Sequence, residues 1–75
     1  KMIDIEVIVA NQNKASNLIS KIENLIDILG IDYYEFAEIT KIDSQKAEDF
    51  YSEEYEEFDC GDLFDMHYLL AKTIN

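Results

Sequence analysis

Residues 2–10 read MIDIEVIVA, and the fold class turns on whether this stretch is a strand or the opening of a helix. Ile3, Ile5 and Val7 alternate with Asp4 and Glu6, and the run is rich in β-branched residues; such alternation marks a half-buried strand. The sequence therefore predicts a β-strand over 2–10. Asn11, Gln12 and Asn13 follow as turn and cap residues, and then the period changes. Ala15, Leu18, Ile19, Ile22, Leu25, Ile26 and Leu29 recur at the spacing of an amphipathic helix, and Gly30 stands where its C-cap belongs.

The next segment, IDYYEFAEITKI at 31–42, is rich in strand formers, yet its apolar positions 33, 36, 37 and 40 fall at helical spacing. Asp32 and Glu35 add a D-x-x-E start signal close in kind to a capping box. Helix is the preferred reading; as a strand, 33–42 would complete a strand-helix-strand unit with 2–10. DSQKAEDFYSEEYEEF at 43–58 reads as one helix capped by Asp43 or Ser44, with Ala47, Phe50, Tyr51, Tyr55 and Phe58 on its inner face. Asp62 is placed to cap a last helix whose apolar stripe is Leu63, His67, Leu70, Ala71 and Ile74, with Phe64 and Tyr68 beside it. The expected fold class is α+β and helix-rich: an N-terminal strand, a long amphipathic helix, then two or three further helices. At 75 residues, without proline, repeats or linker-like stretches, the chain is expected to be a single domain over 1–75. A domain this small buries only about 60% of the surface of its unfolded chain.

Charge is unevenly spread. The net charge is −11, and residues 32–65 carry all of it, with thirteen acids against Lys41 and Lys46. The nine aromatic residues also lie between Tyr33 and Tyr68. On the single helix expected at 43–58, Asp49, Glu53 and Glu57 would stand one turn apart, each like-charge pair costing about 0.2–0.5 kcal/mol. Glu56, Glu57 and Asp59 would crowd its negative end at about 0.3–1 kcal/mol each. Charges placed against stability point to a positively charged partner. The same field repels nucleic acid and anionic membrane, so neither is expected as a direct partner.

No catalytic set stands out. Cys60, crowded by Asp59, Asp62 and Asp65, is a poor nucleophile, and one His with one Cys cannot build a four-ligand zinc site. DCGDLFD at 59–65 lacks the ligand spacing of a calcium loop. No enzyme, metal or cofactor is expected. No apolar run reaches the roughly 18 residues of a membrane span, no signal segment opens the chain, and a lone cysteine suits a reducing compartment, so a cytoplasmic location is expected. Lys1 ahead of Met2 reads as a tag remnant.

The stretch YYEFAEITKIDSQKAEDF, 33–50, resembles a helix-turn-helix, with Ala37 as the small residue of the first helix, Ile42 after the turn, and Ala47 and Phe50 facing inward. That family commonly has glycine in the turn where this chain has Lys41. Asp43, Glu48 and Asp49 occupy positions where a DNA reader carries Lys, Arg or Asn, so the motif implies packing rather than DNA recognition.

In length, charge concentration and acidic-aromatic interleaving, the chain also resembles small acidic inhibitors of phages and mobile elements, the DNA mimics among anti-CRISPR and anti-restriction proteins. That resemblance implies a stoichiometric, non-catalytic inhibitor that fills the basic nucleic-acid-binding surface of a host protein. The expected contact surface is Glu48, Asp49, Glu53, Glu54, Glu56, Glu57, Asp59, Asp62 and Asp65, with Tyr51 and Tyr55 as anchors. The competing reading is a protein-interaction subunit, such as an immunity protein, antitoxin or adaptor, with a mainly apolar interface. In it, the strand at 2–10 would pair with another chain's sheet edge or across a homodimer.

Overall fold

The computed structural model describes residues 5–74, with side chains from Lys14 onward. All regular structure in this range is helical: α1 (Ile5–Leu29), α2 (Tyr33–Thr40), α3 (Ser44–Tyr51), a single 3-10 turn (Tyr55–Glu57) and α4 (Cys60–Ile74). The α+β expectation is thus overturned. Residues 5–10 of the expected strand belong to α1, residues 2–4 lie outside the described residues, and 33–40 is a helix, so the strand-helix-strand alternative fails as well. A lone strand would leave its backbone N–H and C=O groups without a ladder partner, and no second strand exists among the described residues to supply one. A helix satisfies those groups from within, at a propensity cost of only about 0.5 kcal/mol for each β-branched residue. The sequence spacing of Ile5, Ile8 and Val9 is itself helical, a signal hidden beneath the alternation. With the strand goes the strand-mediated route to another chain's sheet edge or across a homodimer.

Each short helix begins on an aspartate. The Asp32 carboxylate accepts from the Glu35 N–H at 2.9 Å, and that of Asp43 from the Lys46 N–H at 2.8 Å, as the D-x-x-E signal and the Asp43 expectation require. At α4 the cap differs from expectation. Asp59 takes the N-cap role, accepting from the Asp62 N–H at 2.8 Å, while the Asp62 carboxylate reaches back to the Asp59 N–H at 3.3 Å. The two acids form a reciprocal box on the positive end of the helix dipole. Asp59 therefore supports a helix start rather than crowding a helix end.

Three helices stop on a residue in the left-handed region: Gly30 (φ +63°), Lys41 (φ +60°) and Glu53 (φ +64°). Glycine adopts this conformation freely; lysine and glutamate do so against Cβ sterics. At Glu53 the backbone closes a Schellman motif, with Glu53 N–H donating to the Phe50 carbonyl at 3.1 Å and Glu54 N–H to that of Asp49 at 2.9 Å. The single helix expected over 43–58 is therefore two pieces. The chain turns at 52–54 and brings Phe58 back beneath α3.

The core joins Ile22 of α1, Phe36 and Ala37 of α2, Ala47 and Phe50 of α3, Phe58, and Leu63, Met66 and Leu70 of α4. Met66 takes the buried place that the sequence pattern offered to His67, which is half-buried. α4 packs on both α1 and α2, and α2 on α3. Thr40 is buried with its hydroxyl donating to the Phe36 carbonyl at 2.6 Å, so it adds no unpaired group to the core. α2 and α3 pack on one another across a turn in which Lys41 takes the left-handed position.

Because Glu53 pays the left-handed penalty without a glycine, Glu53→Gly is expected to raise stability by about 0.5–1 kcal/mol, read as a higher Tm in thermal unfolding. A lower Tm would mean that the Glu53 side chain itself holds the turn.

Candidate functional site

The acidic segment follows α3, the turn, the 3-10 turn and the start of α4, so its carboxylates are placed by four local structures rather than by one helix face. Glu48, Glu53, Glu54 and Glu56 are exposed, Glu48 on α3 and the others around the turn. Among the described residues none of the acids in 48–65 is held in an ion pair. The i, i+4 ladder of Asp49, Glu53 and Glu57 does not form, because the helix ends at Tyr51. The turn instead brings Glu57 against Asp49. The hydrogen bond that protonated Glu57 donates to the Asp49 carboxylate, then desolvation, then the Asp49 charge raise the Glu57 carboxyl above its ordinary range, with Lys46 opposing them. Asp49, half-buried, also accepts from the Gln45 amide at 3.1 Å.

Asp59 and Asp62 cap α4, as above. Asp62 and Asp65 also line a cleft of about 460 Å³ beside the α2–α3 turn, opposite Lys41 and Lys46. Both lysines of the acidic half therefore lie on this side. Lys46 further sets its ammonium over the Phe58 ring, 5.5 Å from the centroid.

The tyrosines expected as anchors face inward with their hydroxyls. Tyr51 donates to the Ile31 carbonyl at 2.9 Å, fastening α3 to the α1–α2 connection, and Tyr55 donates to the Glu23 carboxylate at 2.5 Å, fastening the 3-10 turn to α1. Burial, helped by the charges of Asp32 and Glu35, pushes the Tyr51 phenol up to about 12. Burial and the bond to Glu23 push that of Tyr55 up as well. Both stay protonated donors across the neutral range. Beneath them runs a continuous set of ring contacts. Tyr33 meets Tyr51 edge-on at 6.3 Å, Tyr51 meets Phe36 at 5.5 Å, Phe36 stacks on Phe50 at 5.3 Å, and Phe50 meets Tyr55 at 5.1 Å and Phe58 at 5.6 Å.

Sequence reasoning missed Glu23 and Lys46 as members of this region. Nothing local to 55–58 points to a carboxylate on α1, and Lys46 meets Phe58 only because the chain reverses at Glu53. Among the described residues no cluster of three His, Cys, Asp or Glu is arranged to hold a metal ion, and no helix is long and apolar enough to cross a membrane. No protein-family model matches the chain, and neither a curated protein nor a solved structure shows significant similarity to it.

The raised Glu57 carboxyl has a definite pH consequence. The folded chain holds this proton more tightly than the unfolded chain, so the pair's contribution is present at acid pH and falls as pH rises through and above the ordinary Glu range near 4.5. Glu57→Gln keeps a donor for Asp49 and removes the repulsion. Its Tm is expected to exceed that of the unaltered protein at pH 7, with the gain shrinking as pH falls into the carboxylate range. An equal or lower Tm at pH 7 would contradict the assignment.

Proposed function

We propose that the chain is a non-catalytic inhibitor whose acidic surface occupies the basic nucleic-acid-binding surface of a host protein, as the DNA mimics among anti-CRISPR and anti-restriction proteins do. The single observation that carries this reading is the set of exposed, unpaired carboxylates at Glu48, Glu53, Glu54 and Glu56, set around a turn fixed from below by Phe50, Tyr51 and Tyr55. Carboxylates set around a turn of defined backbone offer a matched target to Lys and Arg. Asp49, Glu57, Asp59, Asp62 and Asp65 extend the same negative field. Tyr51 and Tyr55 serve this surface as its supports, with Tyr51 still 36% exposed at the margin. The site of action in this proposal is the cytoplasm, and no turnover is involved.

An interaction subunit with an apolar interface draws on one different observation, the outward rings of Phe64 and Tyr68 on α4. Salt separates the two readings. Capture through the acidic surface weakens steeply as ionic strength rises, because charges beyond a Debye length of about 8–10 Å are screened.

Replacing Glu53, Glu54, Glu56 and Glu57 together by Gln is expected to leave the helical content unchanged and the Tm equal or higher, while abolishing low-salt capture of basic nucleic-acid-binding proteins from host lysate. Captured proteins should elute with salt or with competing DNA. Unchanged capture by the glutamine variant would overturn the proposal.

A further inference from the structure

We propose that the outer face of α4 is a self-association surface, through which two copies of this chain pair antiparallel about a two-fold axis. Leu63, Met66 and Leu70 turn one side of α4 into the core, which leaves Phe64 and Tyr68 outward, 60% and 56% exposed and one turn apart. Neither belongs to the ring contacts that hold the acidic segment. Leaving a large ring in water forgoes the gain of burying it, and here two adjacent rings are more than half exposed. Asp65 and Lys72 are exposed on the same side of the helix. Asp65 lies three residues before Tyr68 and Lys72 four after it. With the axis beside Tyr68, Asp65 of one copy therefore stands across from Lys72 of the other, and the pair occurs twice. The four rings form the centre of the contact and the two ion pairs its rim.

The charge distribution favours a second copy over a basic partner at this face. The exposed, unpaired glutamates lie on α3 and the turns before α4, whereas α4 offsets Asp62 and Asp65 with Lys72 and so presents the more nearly neutral surface. Pairing there takes Asp65 into the rim of the contact and leaves Glu48, Glu53, Glu54 and Glu56 of each copy outward. α4 has 15 residues, so it is about 22 Å long and the contact falls at the small end of specific interfaces. Dissociation in the micromolar-to-millimolar range follows. Because each copy carries a net charge of −11, salt relieves their mutual repulsion and strengthens pairing, the opposite of its effect on capture of a basic protein.

Sedimentation equilibrium of the full chain from about 10 µM to about 1 mM tests this directly. Dimer mass is expected at the upper concentrations, increasing with added salt. At constant moderate salt, Asp65→Lys and Lys72→Asp should each weaken pairing about tenfold, and the two together should restore it to within about threefold. Both changes are at exposed positions, and circular dichroism checks that each of the three variants keeps its helices. A chain that stays monomeric throughout overturns the proposal, as does a dimer indifferent to the charge reversals. So does a monomer whose Phe64→Ala, Tyr68→Ala variant loses capture of a basic protein, which would assign the face to that partner instead.

Discussion

The Phe50 ring is the piece on which the acidic half rests. It stacks on Phe36 of α2 and meets Tyr55 and Phe58 edge-on, so one side chain of α3 joins the helix before it to the segment after it. Each such aromatic pair contributes about 0.5–1.5 kcal/mol beyond its buried area. Repulsion between neighbouring exposed carboxylates costs about 0.2–0.5 kcal/mol per pair. The rings win that comparison, and the chain reverses at Glu53 with acids outward and aromatics beneath. The hydroxyls of Tyr51 and Tyr55 then tie the reversed segment to the α1–α2 connection and to α1.

Much of this was legible from residues, and the failures have physical causes. Asp32, Asp43 and Gly30 do what short polar side chains and a left-handed glycine do at helix ends, so three helix limits could be read locally. The opening strand failed because β-branched residues signal a preference that only a partner strand can satisfy, and none is present among the described residues. The break at 52–54 was invisible because its left-handed position holds Glu53 rather than glycine; there the tertiary gain at Phe50 outweighs the local backbone preference. The acidic surface was legible as composition but not as geometry. An uninterrupted helix would have spaced Asp49, Glu53 and Glu57 by one turn, whereas the turn presses Glu57 onto Asp49 and exposes Glu53 and Glu54 at the reversal. Tyr51 and Tyr55 were recognisable as important, yet their inward hydrogen bonds depend on an α1 carboxylate and a backbone carbonyl distant in sequence.

The acids also divide by what they do for the fold. Asp32, Asp43 and Asp59 sit on positive helix ends and stabilise them, so part of the negative charge works for the structure. Glu48, Glu53, Glu54 and Glu56 have no such role, and Glu57 works against stability at neutral pH. Charge without structural use is concentrated around one reversal, while the exposed rings of Phe64 and Tyr68 lie on α4. The molecule thus carries two distinct surfaces, one of exposed carboxylates around the reversal and one of exposed rings on α4.

Backbone chemical shifts and three-bond HN–Hα couplings across residues 44–62 test the central claim, that the acidic chain reverses over an aromatic support instead of continuing as a helix. The account predicts helical values through Tyr51, an interruption at 52–54 with Glu53 at positive φ, and helical values again from Cys60. Unbroken helical shifts from Ser44 to Phe58 would contradict it, because Phe58 and Tyr55 could not then meet Phe50 as described and the acids would return to a single helix face.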